Sequence, residues 1–302
     1  MKASILYLSI EIWRRDIEMK VITLGEILLR LSTAEDVRLK STKEFRVCYG
    51  GAEANVGISL AHFGHDVSVA TVLPQDNPLN DAVSSRLRMN GINTNLVATE
   101  YGRLGTYFLE QGNAGRATRV TYDRLYSSIS VLENLCWDLD EIFKGVDLLH
   151  ISGILPALSK KWQEWTVEVV RKAKEYGCRV SFDMNYRSKL WSYEEAYSCF
   201  QQILSYVDIL SAGRLDAIHF LKVVSEDEDI SLEEIYKRVQ AKYPNIKAGF
   251  IHIPYIEEQV LNKPNMPYMK KEDIIVALEL IIKTAVTFYD REDTKLTGGL
   301  EH

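Results

Sequence analysis

The apolar positions of this chain change period several times. Val21–Leu24 is a β-branched run closed by Gly25, the pattern of a buried strand. Residues 27–49 mix apolar and polar positions as strands of a small sheet or lid do, and Gly50-Gly51 breaks the chain. Ala54–Phe63 carries apolar residues at helical spacing and stops at Gly64. Val67–Val72 predicts a strand, Asn80–Asn90 a helix closed by Gly91, and Thr106–Glu110 and Thr118–Tyr122 short strands. Val146–Ser152, Arg179–Asp183 and Val207–Ser211 predict further strands, separated by helices over Lys160–Tyr176 and Tyr193–Tyr206. Strands alternating with helices of this length predict an α/β fold, a parallel sheet with crossover helices and a small β lid. Past residue 240, Phe250–Ile253 is strand-like, Asn262–Tyr268 is a Pro-containing loop and Lys271–Phe288 reads as a helix. No internal repeat or low-complexity linker interrupts the chain.

Composition narrows the function classes. The 302 residues carry a net charge of −6, which gives no support for a nucleic-acid or membrane surface. A few local arginines can still hold an anion. No apolar run approaches the roughly 20 residues of a membrane span. Cys48, Cys136, Cys178 and Cys199 form no CxxC pair, so free thiols in a reducing cytoplasm are expected. Met1–Trp13 has a short apolar stretch without the basic start or cleavage site of a signal peptide. Met19 opens a good first strand, and Arg14-Arg15 encoded as AGG codons would spell a ribosome-binding site. The expectation is that residues 1–18 are a translated leader and Met19 the true start.

Four segments carry candidate chemistry. Tyr49-Gly-Gly-Ala-Glu-Ala-Asn55 runs into a helix; paired glycines admit close backbone approach, a helix N-terminus offers unpaired N–H donors, and Asn55 can bond sugar hydroxyls. An ordinary Gly-rich turn explains the spacing equally well. Leu73-Pro-Gln-Asp-Asn-Pro-Leu-Asn-Asp81 is by itself a loop and a capped helix. Tyr107 and Tyr122 could close over a sugar and Arg124 could pair with a carboxylate, although tyrosines on strands more often serve packing. Asp183-Met-Asn-Tyr-Arg-Ser-Lys-Leu-Trp191 follows a strand, where open parallel sheets bind ligands, and its alternating Asp183, Asn185 and Arg187 would point to one side. A solvated loop is the plain alternative.

Taken in order, GGAEAN, LPQDNPLNDA, the Gly105-Thr-Tyr-Phe strand, Tyr122-x-Arg124 and DMNYRSKLW resemble the PfkB/ribokinase carbohydrate kinases over about Met19–Lys247, and the last two blocks resemble 2-keto-3-deoxygluconate kinases in particular. The resemblance implies phosphorylation of that or a similar sugar acid, with ATP and Mg²⁺. It assigns Gly51, Ala52, Glu53 and Asn55 to the sugar acid, and Tyr107, Tyr122 and Arg124 to its lid side. It puts Asn185 and Arg187 near sugar and phosphates, and Ser211 and Asp216 in the nucleotide and Mg²⁺ region, with no dedicated metal ligand. The family's Asn-x-x-Glu reads Gly213-Arg-Leu-Asp216 here, and its late Gly-Ala-Gly-Asp, whose Asp is the catalytic base, is absent. The ribokinase-like fold is therefore expected to lack or replace its C-terminal part, with impaired turnover. A homodimer is expected by analogy, and a small-molecule sugar acid as ligand.

Residues 248–302 tell a second story. Together with Tyr243-Pro-Asn-Ile-Lys, the Gly249-Phe-Ile-His-Ile-Pro-Tyr255 block resembles the end of pyrrolidone-carboxylate (pyroglutamyl) peptidases. That likeness implies that His252 matches the histidine of a Cys-His-Glu triad whose other members this chain lacks. Three alternatives to an active kinase thus stand beside it: a non-catalytic sugar-acid-binding pseudokinase, a chimeric gene product, and a cysteine-peptidase fragment.

Overall fold

The structure, a computed structural model, describes residues 18–112, 117–246, 255–256, 268–270 and 272–276. At its centre β1 (Lys20–Leu24) lies parallel to β4 (Asp66–Pro74) on one side and β9 (Leu148–Ser152) on the other. Beyond β9 follow β10 (Arg179–Asp183) and β11 (Ile209–Ser211). Both β5 (Ile92–Asn93) and β6 (Val97–Glu100) pair with β4, one after the other along its edge. Every pairing is parallel, giving the order β11-β10-β9-β1-β4-β5 with β6 beside β4. Parallel strands are covered on both faces, which is why β1, β4 and β9 are buried along almost their whole length.

Helices make the crossovers. The first three are α1 (Ala52–His62), α2 (Leu79–Met89) and the single turn α3 (Leu139–Ile142); α4 (Lys160–Glu175), α5 (Tyr193–Leu204), α6 (Arg214–His219) and α7 (Leu232–Lys242) follow. The start of α4 is fixed by Ser159, whose side chain accepts the Trp162 N–H, and its end by Gly177 at φ +77°. Ser192 and Glu195 form a full capping box on α5. Behind β10, Phe200 meets Phe182, Trp191 and Phe220 edge-on, with centroids 5.3, 5.3 and 5.1 Å apart.

A second, four-stranded sheet sits apart from the first, in the order β3-β2-β7-β8: β2 (Leu28–Ser32), β3 (Arg46–Gly50), β7 (Thr106–Glu110) and β8 (Arg119–Asp123). The chain passes from β1 into this lid through Gly25, Glu26 and Ile27. Arg103 grips Asp123 with two bonds, at 2.7 and 2.8 Å, at the lid's far edge.

The long elements lie within a residue or two of the hydrophobic pattern. The pattern missed β5, β6, α3 and α6, which are too short to show a period, and also α7. The signal for α7 was present: Ser231 caps the helix by accepting the Glu234 N–H, a Ser-x-x-Glu start. This helix and the turn after it are docked on the main body. Lys242 Nζ donates to Leu221 O, Tyr243 hydroxyl to Gln201 Oε1, and Asn245 Nδ2 to both Leu204 O and Val207 O, while Ile246 is fully buried. The expected leader, the strand at 250–253 and His252 lie outside the described residues, apart from Glu18. Of the tail, Tyr255–Ile256 pairs in parallel with Tyr268–Met269, and 272–276 are helical.

Two buried titratable groups share β9's neighbourhood. His150, between Thr23 of β1 and Ser181 of β10, has its pKa pushed down to about 4 by burial. Glu53, at the start of α1 against Ser152, has its pKa pushed up to about 7, chiefly by burial. Their linkages oppose each other. Between about 4 and the ordinary 6.5, the unfolded chain protonates His150 and the folded one does not, so stability falls as pH falls. Between the ordinary 4.5 and about 7, the folded chain keeps a proton on Glu53 that the unfolded one releases, so stability falls as pH rises.

Three outcomes follow. In urea unfolding, Glu53→Gln should gain stability over the parent as pH rises from 4.5 through 7, and His150→Asn should gain it as pH falls from 6.5 toward 4, each by up to about 3 kcal/mol. Pairwise differences independent of pH would show that neither group is buried as described. Asn245→Ala, which takes the amide donor from the Val207 carbonyl and leaves Leu204 O with only the Val207 N–H, should cost about 0.5–1.5 kcal/mol in the same measurement.

Candidate functional site

Between the lid and the carboxyl ends of the sheet strands lies a cleft of about 880 Å³. Open parallel sheets bind ligands at that end of their strands. The cleft depends on a close backbone crossing. Gly51, the N-cap of α1, passes so near the Glu26 carbonyl that a Cβ there would sit 2.1 Å from the oxygen. No other residue fits at that position. The start of α1 therefore reaches the cleft, with its unpaired N–H groups and the side chain of Asn55.

Beneath it are two buried carboxylates. Glu26, 4 % exposed, pairs with Arg124 and accepts the Ser127 hydroxyl. Burial pushes its pKa up, and Arg124 and Ser127 pull it back. Glu53, 2 % exposed, accepts the Ser152 hydroxyl. The lid contributes Tyr107 and Tyr122, with ring centroids 5.7 Å apart, and Arg124 lies 5.9 Å from the Tyr122 ring centre.

After β10 the chain turns sharply. Asn185 takes φ +37°, so the strand alternation expected across Asp183, Asn185 and Arg187 is broken. Asn185 and Arg187 line the cleft; Asp183 does not. The Asp183 carboxylate instead accepts the Ser211 hydroxyl and the Asn185 N–H, and burial pushes its pKa up. Asp216 accepts the Gly213 N–H at 2.8 Å and caps its own helix, with burial again raising its pKa.

The cleft thus gathers Gly51, Ala52, Glu53, Asn55, Tyr107, Tyr122, Arg124, Asn185 and Arg187. It leaves Ser211 and Asp216 outside its lining. Arg124, expected beside a ligand carboxylate, is paired with Glu26 in the structure. Sequence reasoning missed Glu26, Arg30, Arg46 and Arg86, which also line the cleft. For Arg30 a faint signal existed, one charged position inside the run Leu28-Leu-Arg-Leu31. With Arg30, Arg46, Arg86, Arg124 and Arg187 facing only Glu26 and Glu53, the lining is net cationic in an acidic protein. Hydroxyl binders, a helix N-terminus and surplus guanidinium suit a polyhydroxylated anion.

A resident Mg²⁺ does not fit. Among the described residues no three His, Cys, Asp or Glu side chains cluster. The nearby Asp183 and Asp216 already accept internal donors, and burial favours their neutral forms.

Comparison with known proteins agrees with this architecture. The model of the pfkB family carbohydrate kinases matches residues 19–245. A 2-dehydro-3-deoxygalactonokinase of Haloferax volcanii is 34% identical over 199 residues, 65% of this chain and 61% of that protein. The chain thus spans about three fifths of that curated relative. A crystal structure of a PfkB family carbohydrate kinase from Listeria grayi is 44% identical with a TM-score of 0.70, covering 76% of this chain and 70% of that one. That of a 2-dehydro-3-deoxygluconokinase from Thermotoga maritima is 41% identical with a TM-score of 0.71, covering 75% and 70%. The C-terminal segment matches elsewhere: the pyroglutamyl peptidase model covers residues 231–288. A pyrrolidone-carboxylate peptidase of Clostridium botulinum is 62% identical over 61 residues, 20% of this chain and 28% of that protein. With its ribokinase-like sheet, its lid and a family match running from the first strand to the docked turn after α7, the chain belongs to the pfkB family of carbohydrate kinases.

Proposed function

We propose that the cleft binds a 2-keto-3-deoxy sugar acid, and that the reaction attached to it is transfer of the γ-phosphoryl group of ATP to a hydroxyl of that acid. The observation that carries this reading is the cationic cleft, in which tyrosines, Asn55, Asn185 and a helix N-terminus surround surplus arginines. In this reading Gly51, Ala52, Glu53 and Asn55 hold the hydroxyls from below, and Tyr107, Tyr122 and Arg124 close from the lid. Asn185 and Arg187 stand between sugar and phosphates, and Ser211 and Asp216 belong to the nucleotide side. ATP is the phosphoryl donor by family, and any Mg²⁺ arrives on its phosphates. No helix among the described residues is long and apolar enough to cross a membrane. Free thiols and sugar-acid chemistry support a cytoplasmic enzyme, and a homodimer by family analogy.

A binding-only variant of this reading has its own support. No Gly-x-Gly-Asp follows Ser211 in this sequence, which supports a cleft that binds without a base for the sugar hydroxyl, and Asp216 caps its own helix. Slow or absent turnover with intact sugar-acid affinity is the expected combination. The peptidase reading has less. Cys178 and Cys199 are buried and their pKa values are pushed up to about 12, so neither supplies a thiolate.

The deciding measurement is calorimetric titration of the full chain with 2-keto-3-deoxygluconate, then with ATP–Mg²⁺. Sugar-acid binding with weak or absent nucleotide binding is expected. Silence with both ligands would reduce the kinase likeness to ancestry. Gly51→Ala, which drives a methyl into the Glu26 carbonyl, should abolish sugar-acid binding in the same titration. A fluorogenic pyroglutamyl substrate should remain uncleaved, and cleavage would restore the peptidase reading.

A further inference from the structure

One register row that crosses all four strands of the lid lines the cleft. Register pairs Arg30 with Cys48 on one side and with Tyr107 on the other, and Tyr107 with Tyr122. All four line the cleft, one from each strand, so this row faces the ligand space across the whole width of the sheet. Arg30 stands on β2, an inner strand paired on both sides, where its stem is confined.

The surroundings of this guanidinium are electrically incomplete. Its side-chain partners are Cys48 and the Tyr107 hydroxyl, neither of them a carboxylate. Its Nε is buried and makes no hydrogen bond, and among the described residues no carboxylate pairs with it. The Arg124 Nε is likewise buried and unbonded, but its charge is already met by buried Glu26, so a ligand carboxylate there would have to share the cation. Arg187 lies within the field of the Asp183 and Asp216 carboxylates. A half-buried cation without a counter-charge, aimed into a ligand cleft, is stabilised when an anion arrives, and a planar fork suits a carboxylate.

We propose that Arg30 is the lid's anchor for the carboxylate of the sugar acid, the residue that makes the cleft select an acid over the matching neutral sugar. This rests on the sugar-acid reading above and sharpens it. Arg124, held by Glu26 beside the Tyr122 ring, still closes on the acid from the lid, with its charge already partly met.

The test is calorimetry on the full chain with two probes of one carbon skeleton. They are 2-keto-3-deoxygluconate and 3-deoxyfructose, in which a CH₂OH group replaces the carboxylate. Arg30→Met should weaken the acid by roughly 10- to 100-fold, the worth of a charge-assisted hydrogen bond. It should leave 3-deoxyfructose within about twofold, since the neutral probe lacks the group that feels the charge. The salt dependence of acid binding should flatten in the same variant, and Arg30→Lys should recover part of the affinity. Unchanged acid affinity in Arg30→Met, or an equal loss for both probes, overturns the assignment while leaving the sugar-acid reading standing. A parent chain that binds neither probe overturns both.

Discussion

Glu26 is the point on which the cleft turns. It lies between the central strand and the lid, its carbonyl forcing glycine at position 51 and its carboxylate gripping Arg124 and Ser127 at the lid's exit. One residue thereby fixes three things: the approach of α1 to the ligand, the angle at which the lid leaves the sheet, and the return of the chain from β8. Removing either member of this buried pair would strand a charge in a low-dielectric site. The lid's position is thus tied to the electrostatics of the cleft floor.

The same pair redistributes charge over the cleft. Arg124 is consumed internally, and Glu53 is pushed toward its neutral form by burial, so the floor contributes little net field. What remains are guanidinium groups on the walls. An acidic protein of net charge −6 therefore offers a locally cationic recess, which the overall composition conceals.

The junction between the two family resemblances is structural as well as sequential. The kinase match runs to residue 245 and the peptidase match starts at 231, so both include α7. That helix and the following turn are bonded into the main body through Arg238, Lys242, Tyr243 and Asn245. Whatever the history of the joint, the shared stretch serves the kinase body here, covering the side of α5 behind the edge strand β11.

The sequence by itself determined the layer plan. Apolar runs such as Val21–Leu24 and the periodic Lys160–Tyr176 announce buried strands and amphipathic helices, because burial on two faces or on one stripe leaves a direct mark on residue order. Gly51 and Asn55 were legible for the same local reason, as a paired-glycine break followed by a helix start. Tertiary structure alone decided the charges. That Arg124 answers to Glu26, 98 positions away, and Arg30 to Cys48 and Tyr107 follows from strand register and from the crossing at Gly51. Asn185's left-handed turn likewise separates Asp183 from the cleft that the alternation had promised it. Pairing between distant segments leaves no period in a single sequence, so which arginine remains free for a ligand becomes visible only when the lid is folded over the sheet.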